Sequence, residues 1–205
     1  MDLSPLISLI EALGIGAFAL SGVVEAKKKG MDFVGAFTAA FLTAFGGGTL
    51  RDLILDRHPL VWIGQPTYIA AVFLIALIAS VRHALNGQLY APGRLVDILD
   101  ALGLGLFSAA GTSVALTSGA HPLVAIVMGV VTATFGGVLR DVICNEIPSI
   151  FRTSQLYATC ALLGSIVYLL LRVTALGEAG ASAAAIAAAA GLRLLALRHD
   201  IVLPF

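Results

Sequence analysis

Two arginine-aspartate pairs, Arg51-Asp52 and Arg140-Asp141, stand 89 residues apart, each just after a run of glycines: Phe45-Gly46-Gly47-Gly48-Thr49-Leu50 and Phe135-Gly136-Gly137-Val138-Leu139. Both motifs lie within apolar stretches. Ionisable groups at such depth in hydrocarbon are costly and face a partner, a cavity or the aqueous interface. Carboxylates beside a wet path would concentrate cations there, with the arginines as a barrier or gate. Alternatively, each pair snorkels to the nearer interface or forms a structural ion pair. The sequence does not choose which member of a pair faces a path. Consecutive glycines cost about 1 kcal/mol each relative to alanine in a helix, so each run predicts a kinked or interrupted helix. An interrupted helix frees carbonyls, which are tolerated in the bilayer only where protein buries them or water reaches them. Carbonyls lining a wet path favour cations. A second reading has the glycines simply permit close helix crossing.

The elements that carry these motifs are duplicated. Glu11-Ala12-Leu13-Gly14-Ile15-Gly16 returns as Asp100-Ala101-Leu102-Gly103-Leu104-Gly105, Phe18 and Gly22 as Phe107 and Gly111, Thr43-Ala44 as Thr132-Ala133, and Pro59 and Tyr68 as Pro148 and Tyr157. Roughly 20 of about 70 aligned positions are identical without a gap, more than shared apolar composition produces. Seven spans are predicted, at about 4–25, 32–56, 66–83, 95–117, 121–145, 153–173 and 180–198. The chain is thus one membrane domain, 1–205, made of a first three-helix repeat (5–83), a second (95–173) and a seventh helix (180–198) outside the repeat. An odd number of crossings per copy brings the second copy in from the opposite side, so the repeats are inverted, as in many transport pathways. The seventh span opens in the small residues Ala181–Ala190, which allow close backbone contact with a neighbour.

Hydrophobic residues make up 59% of the chain and charged ones 12%, against about 25% charged in a soluble domain. Such a chain belongs in lipid. The net charge of zero provides no basic face for nucleic acid. Lys27, Lys28, Lys29, Arg82, Arg94, Arg140, Arg152, Arg193 and Arg198 fall toward one side, and Arg51, Arg57 and Arg172 toward the other. The positive-inside rule then places the N-terminus outside and the C-terminus in the cytoplasm. Asp2 and the lack of a basic stretch before the first span argue against a cleaved signal, and the bare seven-helix design points to a prokaryotic inner membrane.

The remaining candidates carry less chemistry. Cys144 and Cys160 have neither CxxC spacing nor a disulfide framework and read as packing residues. No metal-ligand spacing joins His58, His83, His121 and His199, which fall near predicted helix ends. Gly14-Ile15-Gly16-Ala17-Phe18-Ala19 imitates a dinucleotide fingerprint but follows no strand; Ala12/Gly16 and Ala101/Gly105 are better read as helix contacts. Glu11 and Asp100 lie near helix starts, where a capping role is expected over ion binding. Lys27, Lys28 and Lys29 could hold anionic lipid headgroups. No constellation for nucleophilic or acid-base catalysis supports an enzyme, and neither metal nor cofactor is expected.

With its paired FGGGTLRD and FGGVLRD motifs in the second and fifth of seven spans, nearly the whole chain, about residues 5–198, resembles the prokaryotic branch of the trimeric intracellular cation channel family. Bacterial members are also described as uncharacterised membrane proteins and as glycine transporters. The resemblance implies a homotrimer with a pore in each protomer, between kinked second and fifth helices, passing potassium and other monovalent cations such as sodium. Carried over position by position, the kinks are Gly46, Gly47, Gly48, Gly136 and Gly137, with Phe45, Thr49, Arg51, Asp52, Phe135, Arg140 and Asp141 near the path. Because the second repeat has two glycines where the first has three, its kink is expected to be the tighter. On physical grounds alone a passive channel and a secondary transporter of a small solute such as glycine both fit this design.

Overall fold

The computed structural model describes residues 4–86, 93–151 and 156–202. The described chain is all-α: α1 (Pro5–Lys28), α2 (Phe33–Ile54), a short α3 (Val61–Gly64), α4 (Pro66–Asn86), α5 (Gly93–Thr117), α6 (Pro122–Ile143), a 3-10 turn (Ser149–Phe151), α7 (Ala158–Leu171) and α8 (Gly177–His199). Six of these are long and apolar enough to cross a membrane, and α7 is a shorter apolar helix of 14 residues. The expected sixth span, 153–173, is therefore shorter than predicted. Residues 152–155, with the Arg152 used in the topology argument, lie outside the described residues, as do Asp2 and the linker 87–92.

Local chemistry sets the helix ends, and it repeats at the same offset of 89 as the sequence. The Ser4 side chain accepts from the Ile7 N–H at α1, and that of Asp32 from the Gly35 N–H at α2, both N-caps for otherwise orphaned donors. At the C-termini of α1 and α5, Gly30 and Gly119 take positive φ, 71° and 82°. The Met31 and Ala120 N–H groups then close onto the Ala26 and Ala115 carbonyls at 3.0 Å, a Schellman stop that only a residue without Cβ makes freely. At the ends of α2 and α6, Asp56 and Asn145 occupy the left-handed region instead, as short polar side chains can. Arg57 and Glu146 N–H then bond back to the Asp52 and Asp141 carbonyls at 2.8 Å.

At the centre, α1 packs on α5 and α2 on α6, while α4 covers α1 and α2 as α7 covers α5 and α6. Phe18 and Phe107, equivalent in the two repeats, meet in the core with ring centroids 5.1 Å apart. Helix α8 breaks the symmetry because it packs on α5 and α7, both of the second repeat. Small residues on both sides permit this: a Cβ on Gly105 of α5 would lie 2.9 Å from the Ile186 carbonyl oxygen, and one on Gly164 of α7 2.8 Å from Ala189 Cβ. Large apolar side chains such as Leu74 and Ile78 of α4 and Leu123 and Val127 of α6 point outward, which hydrocarbon accepts and water would not.

One expectation is corrected. The helical ladder runs without interruption through Gly46–Gly48 in α2 and Gly136–Gly137 in α6. The glycines do not break these helices or free their carbonyls. The reason lies in what surrounds them.

Candidate functional site

Helices α2 and α6 cross backbone against backbone at the glycines. A Cβ on Gly47 would sit 2.1 Å from the Thr132 carbonyl oxygen, and one on Gly136 2.1 Å from that of Thr43. Thr43 and Thr132 are equivalent in the two repeats, as are Gly47 and Gly136. The crossing is thus two copies of one contact, too close for any side chain. Both threonine hydroxyls donate back to their own helices, to Ala39 and Met128 carbonyls at 2.6 Å, leaving the seam without a free hydroxyl. Their outer sides press on Gly22 of α1 and Gly111 of α5, where an added Cβ would lie 2.7 and 2.6 Å from the hydroxyl oxygens.

Toward opposite ends of this crossing stand two buried charge clusters. In the first, Arg51 Nε donates to Asp52 Oδ1 and Nη1 to Glu11 Oε1, both at 2.8 Å. In the second, Arg140 Nε and Nη2 donate to Asp141 Oδ1 at 2.9 and 2.8 Å, and Nη1 to Asp100 Oδ1 at 2.8 Å. All six side chains are buried. Each arginine thus serves two carboxylates, one adjacent in sequence and one forty residues earlier on α1 or α5. Glu11 and Asp100 accordingly do not cap: they sit two turns into their helices and act as arginine counter-ions, a correction to their expected role. The helices that hold them come together because Gly14 and Gly103 let the facing Phe107 and Phe18 rings approach.

The clusters differ in their finish. Arg140 Nη1 also donates to Ser21 Oγ at 2.7 Å, and Asp141 Oδ2 accepts from the backbone and hydroxyl of Ser149. Ala110 is the repeat equivalent of Ser21, and Arg51 Nη2 has no hydrogen-bond partner among the described residues. Beside the second cluster opens a cavity of about 290 Å³. Five carboxylates line it, Glu25, Asp97, Asp100, Asp141 and Glu146, against three basic groups, Lys28, Arg140 and Arg193. A second cavity, of about 250 Å³, lies between α2 and α6 on the first-repeat side and is apolar, walled by Phe41, Phe45, Thr49, Trp62, Phe135 and Leu139. Trp62 Nε1 donates to Thr49 Oγ1 at 3.1 Å, so the hydroxyl is turned toward the indole.

The sequence-predicted residues thus fall into five groups. Gly47 and Gly136 form the crossing; Phe45, Gly46, Thr49 and Phe135 surround the apolar cavity; Arg51-Asp52 and Arg140-Asp141 form the clusters. Gly48 has only Arg51 Nη2 within 4 Å of its Cβ position, at 3.9 Å, and Gly137 lies beneath the Tyr157 hydroxyl. Lys27, Lys28 and Lys29 all find partners within the chain: the Met31 carbonyl, Glu25 and Glu146. The Glu146 hydrogen bond holds the Lys29 ammonium above its ordinary pKa. Cys144 lies next to this rim, and burial raises its thiol pKa.

Two contacts at the rims escaped sequence reading. Lys29–Glu146 joins the repeats at one end, and its equivalent at the other is Arg57 Nη1 donating to Ser118 Oγ at 2.9 Å. Both tie the loop after the first helix of one repeat to the loop after the second helix of the other. Only an inverted arrangement brings those loops to the same end. Arg193 was counted for topology alone, although its guanidinium lies 4.9 Å over the Tyr157 ring. The recurrence of Tyr68 as Tyr157 was visible; the arginine that reaches only one of them was not.

An inverted repeat, a glycine-seamed crossing of two central helices and buried charge toward both ends define a multi-pass membrane protein of the kind that carries solutes or ions across the bilayer. The family model described as "Glycine transporter" matches twice, over residues 8–84 and 97–173. Among curated relatives, the UPF0126 inner membrane protein YadS of Escherichia coli K12 is 38% identical over 163 residues, covering 80% of this chain and 77% of its own length. A UPF0126 membrane protein of Vibrio cholerae is 33% identical over 199 residues, covering 97% and 82%. Among solved structures, the trimeric intracellular cation (TRIC) channel orthologue from Rhodobacter sphaeroides superposes with a TM-score of 0.86 at 36% identity, covering 95% of this chain and 98% of its own. A prokaryotic TRIC channel solved in 0.5 M KCl gives 0.86 at 27% identity, covering 96% and 98%. The chain belongs to this family of bacterial TRIC-type membrane proteins.

Proposed function

We propose that the protein is a monovalent cation channel, permeable to potassium and sodium, with a pathway in each protomer along the α2/α6 crossing. The observation that carries this reading is the five-carboxylate cavity leading to the Arg140 cluster. Its excess negative charge would concentrate cations at one mouth, and the paired clusters put a charged station toward each end. The similarity to solved TRIC cation channels supports the same reading. On that similarity the protein is a homotrimer, and on the basic-residue bias the cavity mouth, with the C-terminus, faces the cytoplasm of an inner-membrane protein. Lys27, Lys28 and Lys29 would then meet anionic headgroups at the cytoplasmic rim.

The test is current across a planar bilayer in asymmetric potassium chloride. Unitary steps reversing near the potassium potential are expected, with smaller steps and weaker cation preference in an E25Q/D97N variant, which thins the mouth charge without touching either cluster. Silence in the bilayer together with saturable glycine uptake into liposomes would favour the transporter reading that the family model's description suggests.

A further inference from the structure

We propose that Tyr157 closes the second-repeat half of the pathway, seated over Gly137 and held there by Arg193 of α8. This rests on the pathway reading above. The argument begins from a broken symmetry. Tyr68 and Tyr157 are repeat equivalents, yet Tyr68 is half-buried and Tyr157 is enclosed in the core. Gly48 is partly open, with only Arg51 Nη2 near its Cβ position, whereas Gly137 is buried, with the Tyr157 hydroxyl oxygen 2.7 Å from where its Cβ would lie. Asp100 Oδ1, a wall of the five-carboxylate cavity, is 3.8 Å from that same Cβ position. The tyrosine hydroxyl therefore sits on the Gly137 face of α6, one residue past the Gly136 that meets α2, and close to the Asp100 wall of the cavity.

The cause of the difference lies outside the repeat. Arg193 stacks its guanidinium over the Tyr157 ring at 4.9 Å and donates through Nη1 to the Leu156 carbonyl at 2.8 Å, anchoring ring and preceding peptide together. A guanidinium over an aromatic face gains strength where water is scarce. Helix α8 packs on α5 and α7 of the second repeat, and among the described residues no guanidinium stacks on Tyr68 in this way. The Tyr157 hydroxyl has no hydrogen-bond partner among the described residues. An enclosed hydroxyl in that condition is costly, which favours a second position in which it meets water.

The geometry provides a test with an internal rescue. A methyl at position 137 would strike the hydroxyl oxygen at 2.7 Å but would lie 3.7 Å from Cζ, an ordinary contact once the oxygen is gone. G137A should push the ring off its seat and raise single-channel open probability severalfold, G137A/Y157F should return to the level of Y157F, and G16A, at a glycine with nothing within 4 Å of its Cβ position, should leave gating unchanged. R193Q and Y157A should raise open probability in the same direction, and Y68A should not. Equal effects of G16A and G137A, or no rescue by Y157F, would overturn the proposal. Hydroxyl-radical footprinting of the wild-type protein reads the same seat without any current. Labelling of Tyr68 but not Tyr157, with Tyr157 becoming labelled in R193Q, is expected; equal labelling of both in the wild type would overturn the plug. A bilayer in which the wild type is silent while footprinting gives the expected pattern would remove the channel reading and keep Tyr157 as the closed end of whatever passes.

Discussion

The first repeat holds its arginine in a dry, sealed cluster with an unfilled nitrogen, while the second holds the equivalent arginine against a serine hydroxyl and beside a polar cavity. The ends of the first two helices are alike in both repeats, down to the left-handed residue that ends α2 and α6. What differs is the finish: Ala110 for Ser21, Phe135 for Gly46, and an eighth helix that packs on α5 and α7 of the second copy. A duplicated scaffold thus yields two unlike ends, an apolar one walled by Phe45, Trp62 and Phe135 and a charged one walled by carboxylates. A pathway through such a molecule, as proposed above, would meet unlike barriers at its two ends although its frame is nearly symmetric.

The largest effects should come from the charge clusters. Removing one partner of a buried ion pair and leaving the others uncompensated costs about 3–5 kcal/mol. R51M strands the enclosed Glu11 and leaves Asp52 only the longer pair with Arg57 at 3.7 Å, whereas in R140M the stranded pair borders the cavity and can hydrate. Thermal unfolding of the detergent-solubilised protein should therefore fall further for R51M, and equal or reversed losses would end the claim that the first cluster is the drier.

At the crossing the repeats should behave alike. G47A and G136A each drive a methyl against a carbonyl oxygen, and overpacking of this kind costs about 1–3 kcal/mol. Thermal shifts of equal size are expected, since both contacts are 2.1 Å; a marked inequality would show that the seam is not shared evenly. The α1/α5 glycines should separate instead. G105A meets the α8 backbone and should destabilise, whereas Gly16 has nothing within 4 Å, so G16A should be neutral or stabilising by up to about 1 kcal/mol on helix propensity.

The rims should show the smallest effects. Glu146→Gln removes an exposed salt bridge worth about 0.2–1 kcal/mol, and the loss should shrink as salt rises. S118A removes the hydrogen bond from Arg57 and the hydroxyl's own bond to the Val114 carbonyl but no ion pair, and its effect should depend less on salt. Unfolding midpoints at low and high potassium chloride distinguish the two, and identical salt dependence would mean that the Lys29–Glu146 pair contributes no net electrostatic stabilisation.

Much of this was legible before any coordinates. The offset of 89 predicted two inverted three-helix units, and apolar runs of about 20 residues placed the spans within a few positions. Buried charge at Arg51-Asp52 and Arg140-Asp141 was anticipated with its two readings. The ion pairing is what the structure provides, since the arginines do not snorkel but bind carboxylates inside the protein. Glycine runs were misread as helix breaks because propensity describes a helix alone. Here the neighbouring helix supplies packing that only glycine admits, and the ladder stays intact.

Periodicity, composition and duplication are properties of the chain read along its length, so membrane class, span number and inverted topology were determined by the sequence alone. Partner choice is a property of two surfaces meeting. That Glu11 serves Arg51 across forty residues, that Thr43 and Thr132 seat each other's glycines, and that Arg193 reaches Tyr157 but not Tyr68 were decided only when the helices packed. A helix contact depends jointly on both faces and on the smallest residue between them, and no single stretch of sequence contains both.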